Sequence, residues 1–194
     1  MTGDPSAPPP VPAWAHSIGL LSLGEAVPPA DAAAAADRQL FCERIARYCW
    51  AYDERQIERL VGCFTEDGIW EGNVLGRVPV GPFVGREAIR QWMSGFWPHQ
   101  HDQRRHMILN TIVDAQTADT ARTSSYLLLM GSTGKAITME TTGFYRVDYR
   151  KYGDQWLITH LMAGFDKAFW PGDLDSLSER GRARHGVAAD ARDD

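Results

Sequence analysis

The feature that most restricts this chain is its last third, where four runs of strand-forming residues follow one another with only short turns between them. RHMILNTIV, ARTSSYLLLM, AITMETTGFYRVDYR and QWLITHLMAGF are rich in β-branched and aromatic residues, and STGK and KYGD supply the glycines that tight reversals use. Connections this short cannot carry a crossover, so the runs must pair as an antiparallel meander. Such a sheet has to bury one face, and the segments ahead of it supply the cover.

Phe41, Ile45, Tyr48 and Tyr52 recur at helical spacing, which predicts a first helix capped by Asp37. A second helix is expected from about Glu54 to Phe64, with Ile57, Leu60, Val61 and Phe64 inward and TEDG ending it in a turn. GIWEGNV and VPVGPFVG then form a short strand pair, and GREAIRQWMSGFW reads as a third amphipathic helix that stops at Pro98. Helices first and a curved antiparallel sheet second indicate an α+β domain whose helices close one face of the sheet and enclose a pocket.

With 194 residues, 44% of them hydrophobic, the chain suits one core with tails rather than two cores. Residues 1–36 are rich in Pro and Ala and read as an arm, although Trp14, Ile18, Leu20, Leu21 and Leu23 form an apolar island suited to docking on this domain or a neighbouring subunit. Residues 37–170 make the domain, and 171–194 are a charged, flexible tail. Net charge is -5 and the basic residues are scattered, which argues against nucleic acid. No apolar run is long enough to span a membrane, and the first Lys or Arg is Arg38, so a signal peptide's basic start is missing. Cys42, Cys49 and Cys63 are an odd set, best read as reduced core thiols, and the expected location is the cytoplasm.

Period-two alternation puts His106, Ile108, Asn110 and Ile112 on one strand face, with Met107, Leu109, Thr111 and Val113 on the other. Both faces are mostly apolar, so His106 sits in a dry setting where an imidazole is useful as a base. Asp53 follows an apolar helix face, where the first helix meets the second. It could hold such a histidine in one tautomer, or it could simply cap the second helix. His99, His101, Asp102 and His106 give the spacing HxHDxxxxH, but the first two fall in a loop after Pro98 and no downstream ligand completes a site, so no metal is expected. GxSxG and phosphate-binding loops are absent.

Over about residues 37–170 the sequence resembles the SnoaL-like branch of the nuclear transport factor 2-like superfamily. IARYCWAYDERQIERLVGCFTEDGIWEG is similar to that family's opening helices and first strand, and FWPHQHDQRRHMILN to its strand bearing a catalytic histidine. The resemblance implies a cone-shaped α+β barrel in which a curved mixed or antiparallel sheet is closed by about three N-terminal helices. It also implies a cofactor-independent lyase, of dehydratase or dehydrohalogenase type, in which Asp53 orients His106 as the base. Tyr48, five residues before Asp53, matches a dehydratase tyrosine. Both side chains reach one pocket only if the helix ends or bends between them, since five residues turn an ideal helix by about 500°. Trp70, Trp97, Asn110, Tyr126, Arg146 and Lys167 are the candidate substrate-binding residues, for a small hydrophobic ring compound such as a steroid, polyketide or terpenoid. An isomerase or polyketide cyclase using the same pair is the alternative, as is a non-catalytic module or dioxygenase small subunit. Family members commonly form dimers or trimers through the outer sheet face.

Overall fold

A computed structural model describes residues 24–76 and 78–167. Helix α1 (Ala32–Asp53) and the one-turn helix α2 (Ile57–Val61) lead into strands β1 (Phe64–Val74) and β2 (Val78–Val84). Helix α3 (Arg86–Ser94) and a 3-10 turn (Trp97–His99) precede β3 (Gln103–Gln116), β4 (Thr120–Ser132), β5 (Ile137–Tyr152) and β6 (Gln155–Phe165). One six-stranded sheet results, in the order β2-β1-β6-β5-β4-β3. The last four strands are the expected meander, and β1 joins β6 in parallel, so the sheet is mixed. The curved sheet does not close on itself: β2 and β3 are its two edges. The expected apolar island and charged tail lie outside the described residues.

Helix α1 starts earlier than the sequence suggests. Asp31, not Asp37, is the N-cap, its side chain accepting from the Ala34 amide at 2.8 Å. Five alanines follow it, and alanine is the best helix former, so the helix runs through a segment whose composition suggested a loose arm. Asp37 lies inside the helix and is buried, with Lys151 Nζ at 2.8 Å. The second helix is shorter than expected. Gly62 ends it, and Thr65–Gly68 continue β1 instead of turning, with a register shift against β6 between Phe64 and Ile69. Phe64 is buried as the sequence required, but as a strand residue.

The inner sheet face carries Leu127, Leu129, Tyr145, Val147, Tyr149, Leu161 and Ala163, all buried. On the outer face Phe144 lies across Gly164, where a Cβ would collide with the ring. Gly143 is tighter still, because a Cβ there would land on the Gly164 carbonyl oxygen of β6. Backbone cannot swing aside as a side-chain tip can, so Gly143→Ala is expected to cost about 2–3 kcal/mol. A chemical denaturation midpoint equal to wild type would show that the two strands part easily at this point.

Candidate active site

Asp53 is the last residue of α1, and Arg55, at φ 55°, turns the chain out of the helical path. A carboxylate at the negative end of a helix needs donors from elsewhere. His106 provides two. It lies on the edge strand β3, and its backbone amide donates to Asp53 Oδ2 at 2.9 Å while its ring Nδ1 lies 2.6 Å from Oδ1. One carboxylate therefore ties the helix end to the sheet edge and fixes the imidazole. Since the carboxylate accepts, Nδ1 carries the ring proton and Nε2 keeps its lone pair. The two side chains are only 8% and 6% exposed. Gln103 steadies the helix end by donating to the Asp53 carbonyl at 2.9 Å.

Tyr52 packs edge-on to the imidazole, ring centres 5.1 Å apart, and Trp97 packs against Tyr52 at 6.0 Å. The Tyr52 hydroxyl donates to Gln100 Oε1 at 3.1 Å, and burial pushes its pKa well above the ordinary phenol value, so it stays a donor. Arg104 stands opposite Gly131 on β4 and shares the His106 face. Its guanidinium is 2.8 Å from Asp102 and 3.5 Å from Glu140. Gly131 is required there, because a Cβ would occupy the place of the Asp102 carboxylate. Arg104 was missed among the sequence candidates, although two residues along a strand return to the same face.

Beside the pair lies a groove of about 500 Å³, with Asp53 and His106 among its lining. Trp50, Met107, Met130 and Ile137 form its apolar walls, and Arg105 is at its rim. A cavity of similar size, about 510 Å³, lies at the other end of the sheet around Arg122, Asp148 and His160. There Arg122 is bonded to Asp148, at 2.5 Å and 2.9 Å, and His160 to Glu71 at 2.8 Å. His160 and Glu71 are each 30% exposed, whereas His106 and Asp53 are 8% and 6% exposed beside apolar walls; a desolvated, held imidazole is the better base, so the first groove is the candidate site.

The other expected site residues are scattered, and none lines this groove. Tyr48 and Trp70 do meet, but in the core, where the indole donates to the Tyr48 hydroxyl at 3.0 Å. Helix α1 continues unbroken to Asp53, so Tyr48 points about 140° away around the axis. Trp97 reaches the site only through Tyr52. Asn110 is exposed at φ 51° in a β-bulge between Leu109 and Ile112. The bulge reverses the expected alternation. Ile112 turns outward at 39% exposure and Val113 packs against the core, while the Thr111 hydroxyl meets that of Ser125 at 2.9 Å. Tyr126, opposite Leu109, is 62% exposed on the outer face, where Arg146, opposite Ser124, also lies. Lys167 is exposed just beyond β6, its backbone bonded to Thr141. As for the HxHDxxxxH spacing, Asp102 is engaged by Arg104 and His106 by Asp53, and His99 and His101 are exposed.

The model of the SnoaL-like domain family matches residues 33–162. Among solved structures, a protein from Catenulispora acidiphila in complex with S-DNPA is 25% identical, at TM-score 0.58, over 68% of this chain and 94% of that one. An NTF2-like protein with a cystatin-like fold from Novosphingobium aromaticivorans is 22% identical, at TM-score 0.56, over 70% and 90%. ActVI-ORFA from Streptomyces coelicolor is 17% identical, at TM-score 0.57, over 66% and 97%. No curated protein matches the chain. Among the described residues, no helix is long and apolar enough to cross a membrane.

Proposed function

The chain belongs to the SnoaL-like domain family, and on that premise we propose that it is a cofactor-independent lyase in which His106, oriented by Asp53, removes a carbon-bound proton from a hydrophobic cyclic substrate. The observation that carries this reading is the single carboxylate holding both the amide and Nδ1 of His106 beside an apolar groove. With Nδ1–H held, Nε2 accepts the proton from a carbon next to an activating group, and the imidazolium that forms is stabilised by Asp53. Hydroxide or halide then leaves the neighbouring carbon and a double bond forms. Where no leaving group is present, the same abstraction ends in isomerisation or ring closure, in keeping with a family that includes polyketide cyclases.

The substrate class in this proposal is a steroid, polyketide or terpenoid ring, for which Trp50, Met107, Met130 and Ile137 provide contact area. Self-association into a dimer or trimer belongs to the same proposal. Leu109 and Tyr126 are paired and exposed on the outer sheet face, with Met139 exposed further along it, and apolar side chains there suit a contact between subunits. A reducing cytoplasm suits Cys42, Cys49 and Cys63, all unpaired.

A panel of hydroxylated and halogenated cyclic compounds tests the chemistry. Wild type is expected to convert at least one, and His106→Ala to lower its turnover by about 100-fold or more with unchanged circular dichroism. No turnover of any compound, with ligands bound equally by wild type and variant, would leave a binding module instead.

A further inference from the structure

Arg105 decides what the groove beside the His106–Asp53 pair can hold. Its Nη1 donates to Glu54 Oε1 and to the Arg104 carbonyl, each at 3.1 Å. Its Nε and Nη2 make no hydrogen bond among the described residues. Those two nitrogens form one edge of the guanidinium, the fork that takes a carboxylate through two parallel bonds. The Glu54 pair is a weak competitor, since its side chains are 51% and 40% exposed and water screens a surface pair of this kind.

The rest of the groove restricts the ligand further. Among the described residues that line it, Arg105 is the one permanent cation, and the imidazole of His106 and the carboxylate of Asp53 are already engaged with each other. The remaining lining is an indole, two thioethers and an isoleucine, surfaces that take an apolar ring body and bring no second charge to the groove. Arg105 and His106 are also neighbours on an edge strand, so their side chains leave opposite faces of the sheet at its border. A ligand in the groove thus meets a cation on one side of that border and the base on the other.

We propose that the groove binds an amphipathic organic acid, its ring body against Trp50, Met107, Met130 and Ile137 and its carboxylate on the Nε–Nη2 edge of Arg105. This rests on the proton-abstracting reading above and narrows its substrate from any hydrophobic ring compound to one bearing a carboxylate remote from the reacting carbon. Arg105 acts in binding and specificity and takes no part in the proton transfer.

The test is calorimetric titration of the full chain with 1-naphthaleneacetate and with 1-naphthaleneacetamide, which share their rings and differ in charge. The acid is expected to bind at least about 10-fold more tightly in low salt, with the advantage shrinking as salt is added. Arg105→Gln should abolish the difference while leaving the amide's affinity unchanged, and Arg105→Lys should keep part of it. Ile137→Asp, at a position 74% exposed and therefore safe for folding, should weaken both probes by placing a charge in the groove wall. Equal affinities in wild type, binding of neither probe, a preference that survives Arg105→Gln, or no effect of Ile137→Asp would each overturn the proposal. His106→Ala should retain the acid preference. A failed dyad chemistry with an intact acid preference is thereby told apart from a failed acid site with intact chemistry.

Discussion

Asp53→Asn is expected to lower turnover by about 10²–10⁴-fold, close to the loss from removing His106 itself. The carboxylate receives two donors from one residue, the His106 amide at 2.9 Å and Nδ1 at 2.6 Å. An asparagine has one acceptor oxygen and one NH2 group, so it can satisfy only one of them. With the oxygen on the backbone amide, the NH2 faces Nδ1 and drives the ring proton to Nε2, which removes the lone pair the base needs. With the oxygen on Nδ1, the NH2 faces the amide donor and the strand edge is pushed from the helix. Either way some stability is lost, on the order of 1.5–3 kcal/mol for a bond to a charged group, so folding must be checked by circular dichroism at the assay temperature. The Asp53→Asn/His106→Ala double variant should be little worse than either single one, because the two residues act as a unit. Full activity in Asp53→Asn would reduce the aspartate to a structural clamp.

The largest expected loss of stability is at Phe41. It is 0% exposed, its ring stacks on Tyr149 with centres 5.4 Å apart and meets Trp156 edge-on at 5.4 Å. Through these contacts α1 is fixed to β5 and β6, and the position of α1 in turn sets where Asp53 meets β3. Phe41→Ala removes both ring contacts and leaves a cavity between rigid neighbours, at an expected cost of about 3–5 kcal/mol. For a domain of this size that is on the order of a 10 °C fall in Tm. Leu40, the next residue, is 42% exposed, and Leu40→Ala should shift stability by no more than about 0.5 kcal/mol. Similar melting curves for the two variants would mean that α1 is not held to the sheet by this aromatic cluster.

What could be read from the sequence divides along physical lines. The four-strand meander was legible because alternation and short glycine turns are local signals, and the apolar stripe of α1 was legible for the same reason. The start of α1 was not, since five alanines look like linker composition until Asp31 caps them. The stripe at Ile57, Leu60, Val61 and Phe64 overextended the second helix, because Phe64 is buried equally well at the start of a strand. Asp53 and His106 came from a family resemblance. Residue chemistry alone left Asp53 open between a cap and a partner, and only the edge position of β3 brings the two together. Substrate-side expectations fared worst. Asn110 rested on strict alternation along its strand, and Tyr126 and Arg146 were named as pocket candidates without the register between strands that decides which face each takes. One bulge at Asn110 reverses the downstream faces, and the β3–β4 pairing sends Tyr126 outward. The groove itself joins residues from both faces at a sheet border, which no periodicity displays, whereas Arg104 was within reach of the simplest rule, two residues from His106.

The most direct test of His106 as a carbon base is hydrogen exchange in the substrate. Wild type and His106→Ala would be incubated in D2O with each ring compound that wild type binds, and recovered substrate and product examined by mass spectrometry and proton NMR. The expected result is loss or deuteration of one carbon-bound proton with wild type, at a rate at least about 100-fold above that with His106→Ala, whether the outcome is elimination, isomerisation or return to substrate. Exchange or product formation at equal rates with both proteins would contradict the assignment of His106 as the base.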